Sequence, residues 1–293
     1  MDIKNIIFSN LYIFNLIFSI ICLKLLNLEN IIYCFIIYGY SFPFLFFYFI
    51  IVYESINPIN IITAFLDYTH LILLYVGIKY LNIAQYLGLR TLSSVFNYSL
   101  SKYFLNKEFC IYQQTGIALI STSSITLLIL GESSNISNIS NIIYGTLVTI
   151  ASLFYSIIGF IMESYKEQTD FIHIKLISSF LFMTSYLIYS LFYNISPISS
   201  IPIISRILIL FIGISEYIYY YIKELITKHI NNSSIHIGIL DITRRVITII
   251  IFNENYETYI YICYSFIILG CILFTFNNLI NNFINNQYDF NFI

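Results

Sequence analysis

The sequence predicts an all-α membrane protein: ten transmembrane helices in two inverted five-helix repeats. Three observations lead there. The 293 residues are 59% hydrophobic and only 10% charged, with a mean hydropathy of +0.83, a composition foreign to soluble domains of this size. Apolar runs follow one another from Ile6 to Ile280, and a bilayer core of about 30 Å takes roughly 20 helical residues per crossing. Polar stripes also recur at matching offsets in two of those runs.

Cutting at charges, prolines and Asn/Ser clusters places the spans at roughly 5–26, 31–53, 61–79, 83–104, 111–130, 142–163, 172–194, 202–222, 235–252 and 257–278. The first is too long for a signal peptide and lacks a small-residue cleavage site, so it reads as a retained span. The third is mainly Leu, Ile, Val and Tyr but carries Asp67, Thr69 and His70. Two readings stand for that pair: groups that carry protons or gate, or a helix cap at Asp67 with His70 simply packed.

The fourth span aligns Arg90, Ser93, Ser94, Asn97 and Ser101 on one face, with Leu92, Val95, Phe96 and Leu100 opposite. Lipid satisfies neither guanidinium nor amide, so the stripe is expected to face other helices and line a cavity. In the sixth span Ser152, Tyr155, Ser156, Gly159 and Glu163 form a similar stripe. Glu216 in the eighth has no nearby cation before Lys223, which suggests a cavity-facing or paired role. The ninth repeats the offsets of the fourth with Asp241, Arg244, Arg245 and Thr248.

These echoes divide one polytopic unit into a first repeat, 1–131, and a second, 142–280. Each stripe is followed by an acid, Glu108 or Glu254, and then by a span containing Gly116 or Gly270. An odd number of helices per repeat makes the second copy enter from the opposite side. That is the plan of secondary transporters, whose sites lie where the repeats meet near the midplane.

Loop cations set orientation. Lys4, Lys102, Lys107, Lys166, Lys175, Lys223 and Lys228 fall on the N-terminal side, against Lys24, Lys79 and Arg206 on the other, so both termini are expected in the cytoplasm. The sequons at Asn135, Asn138 and Asn194 then lie on the lumenal side, consistent with an endomembrane of the Golgi, endoplasmic reticulum or lysosome/vacuole.

Other classes are disfavoured. Five cysteines without ligand spacing support neither disulfide framework nor metal site, and no cofactor is implied. A net charge of −2 without a basic patch argues against a nucleic-acid partner. His236 and Asp241 match the H-x-x-x-x-D spacing of glycerolipid acyltransferases, but no accompanying domain is encoded, so no enzyme is expected. For Arg90, Arg244 and Arg245 three readings stay open: snorkelling to a headgroup, binding an anionic group, or ion pairing with Asp241.

Asp67, Tyr75, Ala84 and Leu89-Arg90, followed by Lys107, Tyr112 and Gly116, resemble the third to fifth helices of the drug/metabolite transporter superfamily. Tyr40 to Pro43, Gly145 to Glu163, Thr227-Lys228 and Leu240 to Arg244 extend the likeness over most of the chain. It is nearest the nucleotide-sugar-transporter-like branch, the solute carrier family 35 F group, with chloroquine-resistance-transporter-like proteins close by. The segment from Arg245 to Glu254 is shorter, and that from Lys228 to Asp241 longer, than the family pattern. The resemblance implies ten helices, alternating access and a central cavity.

The expected function is transport of a small organic, anionic metabolite such as a nucleotide sugar or sugar phosphate. Substrate-binding candidates are Arg90, Ser93, Asn97, Asp241, Arg244 and Arg245, and coupling or gating candidates are Asp67, His70 and Glu216. Tyr75, Tyr86 and Tyr98 are available to stack on a base or ring. The expected partners are the substrate and membrane lipid, with a homodimer left open. The rivals are a proton-coupled amino-acid, peptide or drug exporter of the same fold, and a membrane scaffold or trafficking factor that transports nothing.

Overall fold

The computed structural model describes residues 32–39, 42–52, 56–130, 138–165, 168–193 and 258–275, with residues 203, 207, 209 and 211. Among them the chain is helical, without a strand. The first and ninth expected spans and most of the eighth lie outside the described residues, and so do Glu216, Asp241, Arg244 and Arg245.

The expected second span carries α1 (Ile32–Gly39) and α2 (Phe42–Val52). Pro43 sits in the first turn of α2, where a missing N–H costs nothing. Next comes α3 (Pro58–Tyr80), begun by Asn57, whose Oδ1 accepts the Ile59 N–H at 3.0 Å. Asn82 starts α4 (Ile83–Arg90) in the same way, through the Gln85 N–H. The fourth expected span is completed by α5 (Leu92–Phe104), so Thr91 interrupts what the sequence reads as one helix. Asn106, at φ 50°, closes α5 and turns the Lys107 N–H back to the Ser101 carbonyl at 3.2 Å.

The remaining helices are α6 (Ile111–Leu130), α7 (Asn138–Ser164), α8 (Phe171–Tyr193) and α9 (Thr258–Thr275). By length and composition, α3, α6, α7 and α8 are the four described helices able to cross a bilayer. Their outer faces are apolar: Ile61, Phe65, Ile125, Ile129, Leu191 and Phe192 are all exposed.

The helix α3 packs against both α7 and α8, and α1 and α2 also pack on α8. Against α7 it stacks Tyr80 on Tyr144, with ring centroids 4.3 Å apart. Against α8 it sets Tyr68 on the buried Phe182, at 4.6 Å, and bonds the Tyr68 hydroxyl to Ser185 at 2.7 Å. The helices α4 and α5 also pack on α7, and α6 packs against α9.

Lipid tails are as apolar as leucine, so helices in a bilayer associate through close packing and hydrogen bonds rather than exclusion of water. The α6–α9 crossing illustrates this. A Cβ on Gly116 would stand 2.5 Å from the Gly270 carbonyl oxygen, and one on Gly270 would stand 2.6 Å from the Gly116 oxygen. The two backbones touch reciprocally, and only hydrogen fits between them.

Candidate functional site

Asp67 lies more than two turns inside α3, which starts at Pro58, so it does not cap the helix. Its carboxylate is buried, with 6% of the residue exposed, and Lys175 of α8 is buried to 5%. The Lys175 ammonium lies 2.7 Å from each carboxylate oxygen, and the Ser178 hydroxyl donates to Oδ2 at 2.8 Å. Lys175 and Ser178 are three residues apart on α8 and therefore share one face. Asp67 thus receives charge-assisted hydrogen bonds on both oxygens, which is how a buried charge is tolerated.

One turn further along α3, His70 is also buried, with Nδ1 2.8 Å from the Ala151 carbonyl of α7. A carbonyl only accepts, so Nδ1 carries the proton and Nε2 is the nitrogen able to take another. Its ring leans on Tyr155 with centroids 5.3 Å apart. Among the described residues, Asp67, Arg90 and Lys175 lie near enough for their charges to act on this ring. Two helices and the interrupted fourth span therefore contribute ionisable groups to one intramembrane region.

The interruption has its own chemistry. Thr91 turns with a shortened bond to the Gly88 carbonyl, 3.1 Å, and Ser94 does the same to Thr91, 2.9 Å. Carbonyls around the turn are taken by hydroxyls: Thr91 and Ser124 donate to Gly88, Ser152 to Leu89, Ser93 to Arg90, and Ser156 to Ser93. Irregular backbone inside a membrane persists where side chains re-satisfy it. Arg90, half-buried, ends α4 at this turn, where the helix dipole favours a cation.

Of the predicted stripe, Ser93 and Asn97 meet the stripe of α7. Ser93 is tied to Ser156, and Asn97 sits over Gly159, whose added Cβ would lie 3.6 Å from the amide oxygen. Both stay half-buried. Beyond them Glu163 pairs with Lys107 at the exposed end of α7. Tyr75 and Tyr86 are buried, whereas Tyr98 packs on Phe109 at 4.6 Å, away from Asp67.

Lys175 is the residue sequence reasoning misplaced. Counted there among the loop cations that set orientation, it is buried in α8 and clasped by Asp67. The available signal was its position inside an apolar run, three residues before Ser178.

No protein-family model and no curated protein matches the chain. Among 27 solved chains that do match, one described as "Crystal structure of protein" has a TM-score of 0.62 over 93% of this chain and 96% of its own, at 8% identity. At that identity the likeness speaks to fold alone, and it extends over nearly all of both chains.

Proposed function

We propose that this protein is a secondary transporter of the drug/metabolite superfamily, of the nucleotide-sugar-transporter-like branch. It moves a small organic anion across an endomembrane by alternating access, with both termini in the cytoplasm. The observation that carries the reading is the buried Asp67–Lys175 pair joining α3 to α8 beside the interrupted fourth span. Ionisable groups at such depth are costly, about 2.5–3.5 kcal/mol or more each, and where they occur they mark substrate or ion pathways.

The ten-helix inverted repeat draws support from which helices pair. In a five-plus-five plan α1 and α8 are the second and seventh spans, and α6 and α9 the fifth and tenth. Each of these equivalent pairs is in contact, and Gly116 and Gly270 touch reciprocally. Such contacts are what a two-fold axis in the membrane plane produces. In this reading Arg90, Ser93 and Asn97 form one wall of the site, and Asp241, Arg244 and Arg245 the other.

Uptake by proteoliposomes of the purified protein tests this, with nucleotide sugars, sugar phosphates, amino acids and basic drugs as probes. Selective uptake of an anion, reduced about tenfold or more in Arg90→Ala, is the expected result. Preference for an amino acid, peptide or drug would favour a proton-coupled exporter, a reading supported by His70 beside Asp67. Folded protein that carries none of the probes would favour the scaffold reading.

A further inference from the structure

The carrier reading names an anion for the site but not what else the substrate must bear. His70 supplies an answer, because its imidazole is fixed on α7 beside the wall formed by Arg90 and Ser93. Nδ1 lies 2.8 Å from the Ala151 carbonyl, and the ring leans on Tyr155 with centroids 5.3 Å apart. Tyr155 falls on α7 between Ser152 and Ser156, whose hydroxyls donate to the Leu89 and Ser93 carbonyls. The stretch of α7 that holds the imidazole therefore also holds the interrupted fourth span. Arg90, half-buried at the end of α4, is near enough for its charge to act on the ring.

The partner of Nδ1 decides the chemistry of the ring. A carboxylate at that nitrogen stabilises the imidazolium, as the aspartate of a catalytic triad does. Asp67 stands one turn before His70 on the same helix, yet both of its oxygens take the Lys175 ammonium, and Oδ2 also takes the Ser178 hydroxyl. The imidazole proton goes instead to an uncharged carbonyl. That arrangement suits a neutral ring protonated at Nδ1, whose other hydrogen bond is one it accepts, at Nε2. A guanidinium only donates. The two groups together fit a molecule that carries an anionic oxygen and, a short way off, a donor.

We propose that Nε2 of His70 accepts a hydrogen bond from a hydroxyl of the substrate, so that the carrier selects hydroxylated anions such as sugar phosphates and nucleotide sugars over anions without that hydroxyl. This rests on the transporter reading and narrows its substrate class. Arg90 takes the anionic group and His70 checks for the hydroxyl, acting as a binding residue rather than a proton carrier. An analogue that lacks the hydroxyl leaves a buried nitrogen without its donor. Such a loss separates substrates far better than a missing methylene does.

The test takes each hydroxyl in turn. Proteoliposomes of the full chain are offered a labelled hexose phosphate and a labelled nucleotide sugar. Whichever is carried is then compared with analogues in which one hydroxyl at a time is replaced by hydrogen or by fluorine, neither of which donates. At one position both replacements are expected to lower kcat/KM about 10- to 100-fold in the wild type. In His70→Ala that penalty is expected to vanish, while analogues changed elsewhere keep their wild-type ratios. A role for His70 in packing alone would slow every analogue alike and leave the penalty in place.

A wild type indifferent to every hydroxyl, or a penalty that survives in His70→Ala, overturns the assignment and leaves the carrier reading standing. A wild type that carries neither probe overturns both. Nitrogen-15 NMR examines the ring with His70 intact, in a chain whose other histidines, His173, His229 and His236, are replaced by Gln. The expected result is an unprotonated Nε2 whose resonance moves when the carried probe is added and stays when the analogue lacking the critical hydroxyl is added. Protonation of both ring nitrogens at neutral pH would also overturn the proposal.

Discussion

Lys175 shows how one side chain decides the character of a region. Its ammonium pairs with Asp67, so removing Lys175 takes from a buried carboxylate the cation that holds both of its oxygens. Lys175→Met is expected to lower stability by about 3–5 kcal/mol, and Asp67→Leu/Lys175→Met to recover most of that loss, read as midpoints of unfolding in detergent. Equal stability of single and double variants would mean that water reaches the pair. Asp67 and His70 were legible because charge inside a Leu/Ile/Val run is conspicuous. Lys175 was not: it lies close behind Lys166, Glu167 and Asp170, and its partner is far away in sequence. Its place in an apolar run, three residues before Ser178, marked it as a residue of the span but did not distinguish a lysine that snorkels outward from one that is clasped inside.

At the level of the element, the interrupted fourth span was read as continuous because Thr91 is neither Gly nor Pro. The break depends on hydroxyls supplied by α6 and α7, at positions no window around Thr91 contains. Its consequence can be tested directly. Thr91→Val with Ser124→Ala strips the Gly88 carbonyl of both hydroxyl donors and is expected to cost about 1–3 kcal/mol, with faster amide exchange from Leu92 to Val95. Unchanged exchange would show that the turn holds without them. Serine and threonine in the other helices mostly bond back to their own preceding turn, as Thr115 and Thr146 do, so composition alone could not single out Ser124. The matching stripes of the fourth and sixth spans were visible from spacing, but that they face each other became plain only from Ser156 and Ser93.

For the whole molecule, the sequence carried the helical class and, among the described residues, close bounds for the third, fifth, sixth and seventh spans, since length and hydropathy are set by the bilayer. Pairing between distant spans was less accessible, because it is written in single residues such as glycine. Gly116→Val and Gly270→Val each drive a side chain into the facing backbone and are expected to abolish the monodisperse folded peak in size-exclusion chromatography. Gly159→Ala, which has room, is expected to be neutral or to stabilise by up to about 1 kcal/mol. The exposed Lys107–Glu163 pair contributes little, and Glu163→Gln should alter stability by less than about 1 kcal/mol.

The glycine crossing also determines how α6 and α9 can move. Two backbones pressed together at Gly116 and Gly270 resist sliding, so a relative motion would be a turn, like that of scissor blades, about that rivet, and it would also have to part the rest of a long contact. From Gly116 to Leu130 the blade is about 21 Å long at about 1.5 Å per residue. A turn of about ten degrees therefore carries its tip about 4 Å. That tip is fastened to α9 by the Tyr259 hydroxyl, 2.7 Å from the Leu130 carbonyl. The clasp must let go long before the rivet feels any strain.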